Sequence, residues 1–293
     1  MYLSPLLNHH HRKFYKPPCL YFNMHSFLYR YEHYFSFTLA EYKQLLITSI
    51  AAAFILSFRK WGGAEFSFFS GLFSLIYIFI FFIFSLYIHV FVQKLSGLKV
   101  GYFPTYRAYP SLLLTGVVLA FLTNGYFPFF ISGCLAYTIQ EDMRLGKLRK
   151  GYTLWEASLV SFSGPLISII VAALLGGIYS IIPFDFLYTL IIVNLLIAIY
   201  SMIPFPQFRK LNPLDLIFSK SHRFATFLLN IQEGGPVGLH IFMHKPYFFV
   251  FTFSLVLFYS GLIFTTQIFA LLLSSILALM TGVVYYYLVE KAG

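Results

Sequence analysis

The chain has 293 residues, 59% of them apolar and 10% charged, with a mean hydropathy of +0.77. Soluble domains carry roughly 25% charged residues, so this composition excludes a water-exposed surface over most of the chain and calls for lipid as the solvent. The formal net charge of +10 does not argue for nucleic acid, because basic residues beside membrane spans set orientation; no nucleic-acid partner is expected.

Residues 1–43 are expected to form a cytoplasmic N-terminal segment. Its first 23 residues hold His9, His10 and His11, then Arg12, Lys13 and Lys16, with no apolar core long enough for a signal peptide. A disordered or tag-like leader is the expectation there, and Met24 is an equal candidate for the true start. Apolar runs follow at about 44–58 and 66–93, then a shorter pair at 110–123 and 126–138 broken by the turn signal Asn124-Gly125. Further runs cover 157–182 and 185–206, separated by Pro183, and the chain finishes with 246–265 and 267–288. The long runs suit membrane-spanning helices, whereas each half of 110–138 falls short of the roughly 20 residues a crossing needs. A re-entrant or interfacial hairpin is expected there. The stretch 98–109 is rich in strand formers and predicts a short strand at the membrane surface. Residues 219–245 read as a cytoplasmic loop before the C-terminal helical pair, 246–293.

Charge supports this topology. If 110–138 returns to its starting side, all of the 20 Lys and Arg except Arg59 and Lys60 fall on the cytoplasmic side. The expectation is therefore an all-α polytopic protein of the plasma membrane, with about six transmembrane helices, both termini cytoplasmic and membrane lipids as partners. The two cysteines, Cys19 and Cys134, are too few for a disulfide framework. No internal repeat and no charged relay within the spans speaks for a transporter.

Ser85, His89 and Gln93 recur every four residues near the end of the second span and so share one helix face. A histidine at membrane depth is a functional candidate, although a helix–helix hydrogen bond is its plainer role. The frame His89-Val90-Phe91-Val92-Gln93 has the spacing of a helical zinc motif, with an aliphatic residue at the general-base position and an amide at the second ligand position. The fifth span ends in Ser201-Met202-Ile203-Pro204-Phe205-Pro206-Gln207-Phe208-Arg209-Lys210, where two prolines stop the helix.

Together these features resemble the site-2 protease family of intramembrane zinc metalloproteases, across residues 44–218. In that family one core helix carries His-Glu-x-x-His, a Gly-Pro motif opens the next, and a later helix ends in Asn-x-x-Pro-x-Pro-x-x-Asp-Gly, whose Asp is a zinc ligand. Here His89 holds the first place, Ser163-Gly164-Pro165 opens the 157–182 span, and Pro204 and Pro206 hold the proline positions. The resemblance implies a cleft between core helices, with Ser85, Pro204 and Pro206 as lining candidates.

The departures fall on the chemistry. Val90 replaces the catalytic Glu, Gln93 the second His ligand, Ser201 the Asn, Arg209 the Asp ligand and Lys210 the Gly. Neutral Gln is a poor substitute for imidazole, Val90 cannot take a proton, and a guanidinium repels a dication. No catalytic residue and no metal are expected, and binding of transmembrane segments of client proteins is the leading expectation. The alternative is a divergent active metalloprotease that holds zinc with His89 and Asp215 of Asn212-Pro213-Leu214-Asp215. Glu141, Asp142 and Glu156 are expected to pair with the basic loop beside them, and His240 and His244 to be loop histidines at the membrane surface.

Overall fold

A computed structural model describes residues 24–61, 67–139, 142–143, 146–147, 154–204, 237–262 and 267–291. The chain is mostly helical. Its helices are α1 (Met24–Tyr34), α2 (Leu39–Ser57), α3 (Phe68–Val100), α4 (Pro110–Leu122), α5 (Leu154–Ile181), α6 (Asp185–Met202), α7 (Val237–His244), α8 (Pro246–Leu262) and α9 (Gln267–Tyr285), the last extended by a π-turn over Tyr286–Glu290. The strands are β1 (Tyr102–Arg107), β2 (Cys134–Ile139), β3 (Asp142–Met143) and β4 (Gly146–Lys147).

Among the described residues, five helices are long and apolar enough to cross a membrane: α2 with its 3-10 extension to Trp61, α3, α5, α6 and α9 with its π-turn. The sixth expected span, α8, is an apolar helix of 17 residues. Two boundaries differ from those the hydropathy suggests, and both matter for the site. α2 begins at Leu39, because Thr38 and Glu41 form a capping box in which the Thr38 side chain accepts from the Glu41 N–H and the Glu41 side chain accepts from the Thr38 N–H. α3 runs 33 residues, to Val100, a length of about 50 Å at 1.5 Å per residue. It stops only at Gly101, whose φ of 98° lies in the left-handed region that favours glycine.

The predicted strand is β1, and its partner comes from the hairpin that follows. β1 and β2 pair antiparallel from Tyr102 opposite Ile139 to Arg107 opposite Cys134. Between them α4 starts on Pro110, turns at Asn124-Gly125 with φ of 50° and 71°, and the chain returns without a helix. The hairpin thus leaves and re-enters the molecule at one place, but its second arm is extended chain and strand. The helical expectation holds for most of the described residues, and the short sheet adds to it: Cys134–Ile139 serves as a strand because β1 supplies a ladder for its backbone groups.

One apolar core joins α2, α3, the β1–β2 sheet, α4, α5 and α6; a second joins α5 and α6 to α7, α8 and α9.

Candidate functional site

The predicted stripe on α3 faces inward: Ser85, His89 and Gln93 are 2%, 4% and 3% exposed. Each meets a polar group on a core helix packed against α3. His89 Nδ1 shares a 2.9 Å hydrogen bond with Ser168 Oγ of α5. Gln93 Nε2 donates to the Ser161 carbonyl of α5 at 2.8 Å. Asn194 Nδ2 of α6 donates to Ser85 Oγ at 3.1 Å and to the Leu190 carbonyl one turn back at 2.8 Å.

The Gln93 bond has a local cause. Pro165 lies inside α5 and has no N–H, so the carbonyl four residues earlier, that of Ser161, loses its intrahelical donor. Lipid offers no replacement, and in transmembrane helices such freed groups are satisfied by neighbours. Gln93 supplies the missing donor from α3. Gly164 permits the approach: a Cβ at that position would lie 2.3 Å from Gln93 Nε2 and 2.4 Å from His89 Nε2. The Gly-Pro pair was expected to open this span, yet α5 starts at Leu154, so the pair sits in the helix interior. The helix continues through the proline because its orphaned carbonyl is paired.

A second polar cluster begins at Lys94, the residue after Gln93 on α3, and was not anticipated from the sequence. Lys94 Nζ donates to both oxygens of Glu41, at 2.8 and 2.9 Å, and to the Ser36 carbonyl at 2.7 Å, while lying 4.3 Å from the centre of the Phe37 ring. Glu41 also accepts the β1 amide of Tyr106 at 2.9 Å. Both side chains are buried. The Tyr106 hydroxyl donates to the Ser132 carbonyl at 2.6 Å and reaches Thr48 Oγ1 at 3.1 Å. Burial pushes the Tyr106 phenol above its ordinary value, with Cys134 adding to the rise and the Thr48 hydrogen bond opposing it. Tyr137 of β2 is hydrogen-bonded to Ser161 Oγ, and Tyr102 of β1 donates to Glu156 at 2.9 Å. The sheet is thereby bound to the same turns of α5 that meet Gln93.

The other predicted positions are placed as follows. Val90 is 1% exposed and packs in the apolar core rather than beside the His89 ring partners. Ser85 is enclosed between α3 and α6, and Pro204 is exposed just past the end of α6. Ser201 is buried and bonds back to the Ala198 carbonyl of its own helix. His244 ends α7 with its ring 5.3 Å from that of Trp155; burial and the neighbouring Lys245 lower its pKa. Pro206, Arg209, Lys210, Asp215 and Glu141 lie outside the described residues.

Zinc does not fit the described donor set. A catalytic site needs about three protein ligands and an open position, and among the described residues no three of His, Cys, Asp and Glu gather around one point. His89 has Nδ1 engaged by Ser168, and its Nε2 faces the close-packed Gly164. What the arrangement can do is hold α3, α5 and α6 in register by hydrogen bonds inside an apolar core. Compared with family models, curated proteins and solved structures, the chain matches none.

Proposed function

We propose that this chain is a membrane protein with a site-2-protease-like core that has lost its metal chemistry and that binds transmembrane segments of client proteins. The observation that carries the proposal is the Gln93 bond. The residue in the second ligand position serves as a donor to the Ser161 carbonyl, which Pro165 leaves without its helical partner. The ordered elements of the resemblance, His89, Gln93 and Gly164-Pro165, lie against one another across α3 and α5, as remnants of one shared site would. Val90 offers no base, and the burial of Ser85, His89 and Gln93 supports a structural rather than a hydrolytic role for the stripe.

A sealed centre leaves the outer faces of the core helices for clients. On α3, Phe73, Ile76, Ile80 and Phe84 are all exposed at helical spacing, an apolar ridge that client helices can pack along. Arg209 and Lys210, beyond the end of α6 in sequence, would pair with acidic client residues or lipid phosphates.

Two measurements test this. Metal analysis of the purified full chain is expected to find zinc well below one ion per molecule; stoichiometric zinc lost in His89→Ala would establish the active-protease alternative instead. A photo-crosslinking residue at Ile80 or Phe84 in native membranes is expected to trap other membrane proteins. Adducts with lipid alone at both positions would refute client binding at this face.

A further inference from the structure

Independently of that proposal, the C-terminal pair carries a feature of its own. α8 and α9 pack antiparallel, and where the start of α8 meets the end of α9 they leave an open groove of about 460 Å³. This is within the range of roughly 300–1,000 Å³ found for ligand sites. Its floor is apolar, from Phe251, Leu279, Gly282 and Val283, and its mouth is aromatic, from Tyr247 and Tyr287. The Tyr247 and Tyr286 rings meet edge to face at 5.7 Å, closing the two helices together at this end. From Tyr286 to Leu279 the groove descends two helical turns, about 10 Å along the axis.

The charges at the mouth are positive. Lys245 Nζ lies 5.6 Å from the Tyr247 ring centre and 5.5 Å from that of Trp155, and Lys291 Nζ lies 5.1 Å from that of Tyr287. His244, beside Lys245, has its pKa lowered. Two carboxylates are near in sequence or space: Glu290 precedes Lys291, and Glu156, next to Trp155, accepts the Tyr102 hydroxyl. Tyrosine and tryptophan favour the headgroup level of a bilayer, and basic pockets between transmembrane helices recognise anionic headgroups.

We infer that this groove is a binding site for an anionic glycerophospholipid, one acyl chain lying against Phe251, Leu279 and Val283 and the phosphate between Lys245 and Lys291. The aromatic mouth sets the depth of the lipid, and the two lysines choose its headgroup. A zwitterionic lipid of the same chains gains the apolar contact, but its headgroup cation offsets the pairing of its phosphate with the lysines.

The test is native mass spectrometry of the purified full chain in detergent, titrated with dioleoylphosphatidylglycerol or dioleoylphosphatidylcholine. The glycerol lipid should be retained more tightly by roughly fivefold per lysine. Lys245→Gln with Lys291→Gln should abolish that preference, and Val283→Trp, filling the groove from an exposed position, should reduce retention of both lipids. Equal retention of the two lipids, a preference that survives the double lysine variant, or binding untouched by Val283→Trp would each overturn the assignment. A dimer that Val283→Trp dissociates would also overturn it, because a second copy of the chain would then be the occupant.

Discussion

Polar side chains of the N-terminal core bridge separate elements as well as bonding within their own helices, as Ser49 and Ser201 do, whereas the hydroxyls described in the C-terminal pair show the second habit. In the core, hydrogen bonds join elements far apart in sequence: Lys94 to Glu41, Gln93 to Ser161, His89 to Ser168, Asn194 to Ser85 and Tyr106 to Ser132. In α8 and α9, Thr252, Ser260, Ser274, Ser275 and Thr281 bond to carbonyls one turn back in their own helices. The first kind specifies which helix sits against which and at what register. The second satisfies a hydroxyl within its own helix, inside the protein for Thr252 and Ser274, and sets no register with a neighbour by itself. The core is therefore held by particular polar pairs, and α8 and α9 meet through apolar and aromatic contacts such as Tyr247 against Tyr286.

The comparison would break most visibly at the buried ion pair. Lys94→Met leaves the Glu41 carboxylate uncompensated in the interior, and the expected loss is about 3–5 kcal/mol of stability. Adding Glu41→Gln should recover much of it. Thr252→Val in α8, a swap of similar shape at a buried site that removes only hydrogen bonds within its own helix, should cost about 1 kcal/mol or less. Unfolding of the full chain in mixed micelles measures all of these, and a Lys94→Met cost no larger than that of Thr252→Val would erase the distinction between the regions.

A smaller effect isolates the Gln93 bond. Gln93→Leu should cost about 1–2 kcal/mol, because the Ser161 carbonyl is then buried without a donor. In a Pro165→Ala background the backbone N–H at position 165 returns, α5 can pair that carbonyl itself, and the same substitution should cost less than about 0.5 kcal/mol. Additive costs in this double-mutant cycle would show that Gln93 does not stand in for the missing donor.

The smallest expected effect is a pH dependence. Burial raises the Tyr106 phenol above its ordinary value of 10.0, so the folded state keeps it protonated where the unfolded chain ionises. Its contribution is fully present below pH 10 and is lost as pH rises through the folded-state value. Tyr106→Phe should flatten the alkaline limb of the stability profile between about pH 10 and 12; an unchanged limb would assign that loss to other groups.

Hydrophobic length made the long helices legible in the sequence, since spanning lipid demands it and little else does. The four-residue spacing likewise put Ser85, His89 and Gln93 on one face correctly. Two helix ends were not legible. Polar Gln93 and Lys94 look like the close of a span, but α3 continues to Gly101 because the protein interior holds both residues. Glu41 looked like part of a solvated N-terminal segment for the same reason, its partner lying 53 residues away in sequence. β2 was hidden because Cys134–Ile139 is apolar and reads equally as half of a membrane hairpin. Pro165 did hold a usable signal: a proline inside an apolar span leaves the carbonyl four residues back in need of a donor, and Gln93 was an amide on a helix of the same core.

The proline in α5 also bears on how the molecule is made. A helix with an unpaired carbonyl facing hydrocarbon is poorly suited to exist alone in the bilayer. During synthesis α3 leaves the ribosome before α5, so the amide of Gln93 is already available when the Ser161 carbonyl arrives. The order of the genetic text thus delivers the donor ahead of the defect it repairs, and α5 can be completed against a waiting partner instead of waiting for one.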